Sequence, residues 1–305
     1  IGCGEKRSLL AEERQNSTTA EKMQELVIGI SGYAKKLQPE FIIIPQNGSQ
    51  LAFVGGKPHT SLHLPYLEAI DAFGIEGLFY NGSYDVDTAR VNILRKLKPL
   101  KKILVSEYLD DDKKIADAYL KNKNEGFTSF IRTKKNYNYE FIPKLLMEEN
   151  ADDITKMTDV KNYLYLINSR HYKTKADFIG ALKATNHDLI IIDLFFNNNQ
   201  AFTSSEIQML KKKANGGKRL VVCYLNIGSA ENWRYYWKKG WRLHSPDFLE
   251  KKYEGYKDEF WVKYWDENWQ RIIFGNENSY TRKIITAGFD GAYLDNIEAY
   301  HYIYQ

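Results

Sequence analysis

The chain has 305 residues, 43% of them hydrophobic, enough for one large core or two ordinary domains. Its 43 Lys and Arg stand against 39 Asp and Glu, for a formal charge of +4. The basic residues are scattered along the chain, so neither a nucleic-acid partner nor a polybasic membrane anchor is expected. No run approaches the roughly 18 apolar residues that span a bilayer, which leaves a lipid as the one membrane link to expect.

In chain order, "IGC" at the start resembles the end of a bacterial lipobox, with Cys3 as the acylated residue; the bland alternative is a chance cysteine. The polar run after it reads as a tether, which gives a division into a tether, 1–17, and one domain, 18–305. A lipoprotein of the bacterial envelope, or a secreted protein, is the expectation that goes with it. Met23, Leu26, Val27, Ile30, Ala34 and Leu37 then recur at helical spacing, with Thr18 and Glu21 in capping-box register. Next, "FIIIPQNG" is an apolar run too short for a helix, closed by Pro45 and Gly48, and predicts a buried strand.

The alternation repeats. Short apolar runs follow at 75–80, 102–108, 127–131, 163–167, 188–193, 220–225 and 289–295, most of them separated by amphipathic stretches. One such stretch, "TSSEIQMLKKKANGG", has Thr203 and Glu206 as a capping box and a Gly216-Gly217 stop. Cys223 sits in the run "LVVCYL" and reads as a small buried hydrophobe. Eight apolar strands alternating with helices predict a parallel sheet, and over this length a single closed (β/α)8 TIM barrel. The order begins with a helix and ends with a strand, so the expected barrel is circularly permuted, its eighth helix standing first. The segment 133–162 is irregular and reads as an inserted loop.

In a parallel barrel, reactive groups gather at the C-terminal ends of strands. Those positions are Gln46 and Asn47, Glu76 and Tyr80, Glu107, Arg132, Asn168 and Arg170, Asp193, Asn226 and Glu231, and Asp295 and Glu298. A single acid at a strand end is more often a cap than a catalyst, but several at one mouth shift that balance. The six histidines show no HxxxH or HxH spacing, and neither GxGxxG nor GxxxxGKS occurs, so no metal or nucleotide cofactor is expected. An oxygen-only cation site of Asp193, Asp295 and Glu298 stays open, without any calcium-loop pattern. Carboxylate chemistry remains: glycoside hydrolysis needs one carboxyl group as acid and a second as nucleophile or base. Aromatic residues, 14% of the chain, concentrate between 224 and 269 and offer Trp233, Tyr236, Trp237, Trp241, Trp261, Tyr264 and Trp265 as platforms for sugar rings; core filling is the alternative for about half of them.

The segments "LIIIDLFF", "CYLNIGSAENWRYYW", "WVKYWDENWQ" and "GFDGAYLDNIEAY" resemble successive motifs of glycoside hydrolase family 114, the endo-α-1,4-polygalactosaminidases. They are still more similar to its bacterial and archaeal relatives once misnamed as cysteinyl-tRNA-synthetase-related. In those relatives, segments like "FIIIPQNG" and "IEGLFY" follow the "LDNI" motif, whereas here they precede it, which agrees with the helix-first order. The resemblance implies strand-end acids at Asp193 and Asp295, the acid of an "IG-x-AE" turn at Glu231, and a further acid at Glu259. It makes Gln46, Asn47, Tyr224, Arg234 and Trp265 cleft-lining groups. Three positions depart from the pattern: Ser229 replaces Glu or Gln, Glu298 replaces Asp, and His301 replaces Glu.

These readings converge on a monomeric glycosidase of an exopolysaccharide or amino-sugar polymer. Asp193 is its nucleophile or base, Glu231 or Glu259 its acid, and Asp295 the group that orients the reacting sugar. Glu76, Tyr80, Arg132, Trp233, Tyr264 and Glu298 complete the expected substrate contacts. The three departures motivate the competing expectation, a surface carbohydrate-binding protein with the same cleft and no turnover.

Overall fold

A computed structural model describes the backbone of residues 3–303 and the side chains of residues 19–303. The side chains of Cys3 and of the rest of the expected tether lie outside the described residues. Helix α1 spans Cys3–Leu37 and runs through Thr18, so the cap expected there does not form. Met23, Leu26, Val27, Ile30 and Ala34 are buried on its inner face, as their spacing predicts, while Leu37 is exposed.

All eight apolar runs form parallel strands. They are β1 (Ile42–Pro45), β2 (Ala72–Tyr84), β3 (Lys102–Leu109), β4 (Thr128–Thr133), β5 (Tyr163–Tyr165), β6 (Leu189–Ile192), β7 (Leu220–Asn226) and β8 (Gly291–Asp295). The fold is mixed α/β with parallel sheets: one sheet is ordered β1-β8-β7-β6-β5, the other β2-β3-β4. A parallel bridge between Gln46 and Gly74 joins β1 to β2. At the other end, the Phe130 ring of β4 meets the Tyr163 ring of β5, centroids 5.8 Å apart. Helices α2 (Leu64–Ala69), α3 (Thr88–Leu97), α4 (Ile115–Glu125), α5 (Lys175–Lys183), α6 (Ser204–Leu210), α7 (Glu267–Ile273) and α8 (Tyr280–Thr286) follow or separate the strands. The predicted capping box at Thr203 and Glu206 opens α6, and Thr174 with Asp177 forms another at α5. Helix α1 packs against both α2 and α8.

Strands buried on both faces need apolar side chains throughout, as in "LIII" and "LVVCYLN", and Cys223 is fully buried among them. Tyrosines fill the space inside. Tyr293 of β8 stands 5.2 Å from Tyr165 of β5, and Tyr165 donates to Gln46 Oε1 at 2.9 Å. Gly74 makes room for this packing: a Cβ there would lie 2.2 Å from Tyr293 Oη. The segment between β4 and β5 carries only short 3-10 turns, Lys134–Asn136 and Met157–Asp159. The aromatic block after β7 carries strands of its own. Ser229–Glu231, Glu259–Val262 and Leu249–Lys252 form a three-stranded antiparallel sheet with the middle segment of that order at its centre. Among the described residues no helix is long and apolar enough to cross a membrane.

Candidate active site

Side chains two residues apart on a strand share a face, so the inward side that packs Tyr293 and Ile191 presents Asp295 and Asp193 just beyond them. These ends open into a cavity of about 720 Å3. Of the residues singled out in the sequence, Gln46, Asn47, Glu76, Arg132, Asn168, Arg170, Asp193, Tyr224, Glu231, Trp233, Arg234, Glu259, Asp295 and Glu298 line it.

Three do not. Tyr80 points outward and donates to Asp117 of α4. Tyr264 is buried with its hydroxyl on Thr19 O at 2.7 Å, and Trp265 lies against Tyr264 and beneath Lys22 Nζ, so both pack on α1. Most of the aromatic block likewise packs on itself: Trp237 stacks on Phe260, Trp241 meets Trp237 edge-on, and Trp261 is sandwiched between Tyr253 and Tyr302. Glu107, also at a strand end, accepts backbone N–H bonds from Leu78, Phe79 and Tyr80 and serves the fold. The cavity gains Tyr137, Tyr139, Tyr253 and Tyr256, which the sequence reading missed. Tyr137 and Tyr139 come from the irregular segment after β4, where no periodicity marks them.

The acids fall into three arrangements. Asp193 is ion-paired with Arg234, whose Nη1 reaches its two oxygens at 2.9 and 2.7 Å, and it also accepts from Phe195 N–H at 2.9 Å. The same guanidinium reaches Glu231 through Nε at 2.5 Å. Burial pushes the Glu231 carboxyl up to about 7 although Arg234 acts to hold it down. Asp295 accepts from Tyr224 Oη at 2.5 Å and Asn296 N–H at 2.7 Å. Burial, and after it the Glu76 charge, pushes its carboxyl up to about 7.

Glu259 is held on one side only. Its Oε1 accepts from Asn226 at 2.9 Å, from Asn296 at 3.1 Å and from the Ser229 hydroxyl, and burial raises its pKa. No hydrogen bond reaches its Oε2 from the described residues. Glu259 and Glu231 are directly opposed in the antiparallel ladder. Bonds from Asn232 N to Asp258 O and Val262 N to Gly228 O flank them, which makes them a non-hydrogen-bonded pair, the closer kind, with Cα atoms about 4.5 Å apart. Two like charges so placed raise each other's proton affinity.

On the far wall, Asn47 adopts a left-handed backbone (φ 63), donates to Glu298 at 2.9 Å and accepts from Glu76 N–H at 3.0 Å. Tyr139 donates to Glu76, and Arg132 lies over the Tyr139 ring at 4.2 Å. Two of the three departures touch this chemistry, Ser229 by bonding Glu259 and Glu298 by lining the cavity, while the His301 ring lies tilted against Tyr300. Among the described residues no cluster of His, Cys, Asp and Glu is arranged to hold a metal ion.

The fold and site define an α/β protein of parallel sheets with an acid-lined cavity at the strand ends. Residues 165–304 match the glycoside-hydrolase family GH114, which bears out the motif resemblance and supports glycoside hydrolysis in general. The match contains Asp193, Glu231, Glu259 and Asp295; β1 to β4 lie outside it. The chain is 32% identical over 155 residues to an uncharacterized protein of Methanocaldococcus jannaschii, covering 50% of this chain and 42% of that one. It is 31% identical over 122 residues to one of Deinococcus radiodurans, covering 40% and 37%, and 40% identical over 81 residues to one of Thermotoga maritima, covering 27% and 24%. The aligned part is thus less than half the length of each of these relatives.

Proposed function

We propose that the protein is a glycoside hydrolase of an exopolysaccharide or amino-sugar polymer, with Asp193 as nucleophile or base and Glu259 as general acid. The observation that carries this reading is the one-sided grip on Glu259. Three donors fix Oε1, burial favours the protonated form, and Oε2 is left toward the cavity to deliver a proton to the departing glycosidic oxygen. Asp193 would attack the anomeric carbon or activate a water there, its direction set by Arg234 and Phe195 N–H. Glu231, with both oxygens on Arg234, acts through that guanidinium and through its charge opposite Glu259. Asp295 and Tyr224 would take hydroxyl groups of the reacting sugar.

The assay is release of reducing ends from an array of amino-sugar polymers. Wild type should release them, Asp193→Asn should not, and Glu259→Gln should lose at least about 100-fold on substrates with a poor leaving group. Retained turnover in Asp193→Asn would sink the assignment. Retention of a polymer by wild type and variant alike, without release, would favour the binding protein.

The reading includes a closed (β/α)8 barrel in permuted order, with α1 standing where the helix after β8 belongs. Its support is the Gln46–Gly74 bridge, the packing of α1 between α2 and α8, and the bond from Thr19 Oγ1 to Tyr300 O at 3.1 Å. A re-cut chain, with residue 303 joined to residue 18 and new ends in the segment 141–152, should fold and keep its activity. A re-cut chain that cannot fold would overturn the permutation.

A further inference from the structure

Tyr137 and Tyr256 line the active-site cavity and yet stay 46% and 52% exposed, outside the hydrophobic core. Tyr137 follows the short turn after β4, and Tyr256 lies in the turn between Leu249–Lys252 and Glu259–Val262. They come from separate excursions of the chain, and Tyr137 lies outside the residues that match the family. Partial burial first, and then Tyr137, Glu259 and Glu76, raise the Tyr256 pKa, which sets the two tyrosines near each other.

Both rings are backed by ordered groups. Arg132 lies over the Tyr137 ring at 4.9 Å while its Nη1 donates to Tyr137 O, and Tyr108 meets that ring edge-on at 5.0 Å. Tyr256 meets Tyr253 edge-on at 5.4 Å; Tyr253 in turn stacks on Trp261 at 4.1 Å and donates to Asn296 Oδ1 at 3.2 Å. Tyr256 O accepts from Glu259 N–H at 3.2 Å, so this tyrosine and the proposed acid stand at the two ends of one tight turn. Phe195, by contrast, stands beside Asp193. A rigid aromatic side chain left open at the edge of a cleft suits a sugar ring, whose C–H face is apolar and whose hydroxyl groups stay in water.

We propose that Tyr137 and Tyr256 form the leaving-group subsite of the cavity, where they stack on sugar rings at the reducing-end side of the bond that is cut. The inference rests on the hydrolase reading with Glu259 as general acid. In that reaction Glu259 gives its proton to the glycosidic oxygen, water adds at the anomeric carbon, and the sugar that carries the protonated oxygen departs. The departing sugar therefore starts beside Glu259, and the turn that holds Glu259 also presents Tyr256.

The test is the cleavage pattern of hexasaccharides of glucosamine and of galactosamine, free and N-acetylated, labelled at the reducing end. The length of the labelled product counts the sugars that left on the acid's side. Wild type should release labelled fragments of two sugars or more. Tyr137→Ala and Tyr256→Ala should each move cleavage toward the label and lower kcat/KM at the wild-type bond about tenfold, as loss of roughly 55 Å2 of apolar contact would give. Tyr84→Ala removes a tyrosine that is 56% exposed and lies outside the cavity, and should keep the wild-type pattern. The pattern does not depend on how much of a variant folds. Single labelled sugars from wild type, an unchanged pattern in either cavity variant, or an equal shift in Tyr84→Ala would overturn the subsite and leave the hydrolase reading standing. Absence of cleavage by wild type would overturn that reading, and the leaving-group role with it.

Discussion

Replacing Asp295 by Asn should flatten the dependence of stability on pH. Asp295 ends β8 in the cavity, where burial first and Glu76 second push its carboxyl from 3.8 up to about 7. The folded chain therefore holds this proton more tightly than the unfolded chain does. The stabilisation is fully present below the unfolded pKa and is lost as pH rises through about 7. A difference of about three units at about 1.4 kcal/mol each makes the loss about 4 kcal/mol. Asn cannot titrate, and giving up one acceptor facing Tyr224 or Asn296 costs about 1 kcal/mol at every pH. Urea unfolding from about pH 4 to pH 8 should show wild type falling by about 4 kcal/mol more than Asp295→Asn. The curves should cross, with the variant weaker in acid and stronger near pH 8. Parallel curves would refute the reasoning, because no other change removes this proton and spares the fold.

Three further substitutions probe the packing around the same parallel strands. Arg234→Met strips the cation from Asp193 and Glu231 and should cost about 3–5 kcal/mol by urea unfolding at neutral pH. Part of that loss should return in acid, where Glu231, already pushed up to about 7, takes a proton. Lys213→Met breaks a pair with Asp188 at 2.6 Å in which neither side chain is exposed, and the same assay should again show about 3–5 kcal/mol lost. Gly74→Ala sets a methyl group 2.2 Å from Tyr293 Oη and should lower the thermal midpoint, by about 1–3 kcal/mol in stability. Adding Tyr293→Phe should restore part of it.

How much of this was legible depends on the range of the contacts involved. The eight strands could be read because each is an apolar run with clear stops, and a two-residue period then places Gln46, Asp193 and Asp295 at one rim. Glu259 opposite Glu231 could not be derived that way, since 28 residues of sequence separate them and the ladder that joins them is a long-range pairing inside the aromatic block, where no apolar run marks a strand. Composition misled for a related reason. Aromatic residues crowd the same block, yet Tyr264 and Trp265 turn toward α1, and no local pattern says which side of a turn faces a distant helix. Tyr137 and Tyr139 were hidden in the opposite way, in a segment too irregular to have a face at all. Ser229 joins the two kinds of information. In the sequence it is a departure from the family pattern; in the fold its short side chain lets Asn226, Asn296 and its own hydroxyl converge on one oxygen of Glu259. A longer Glu or Gln at that place would have to enter the same cluster, so the substitution reshapes the support of the proposed acid while the acid itself stays.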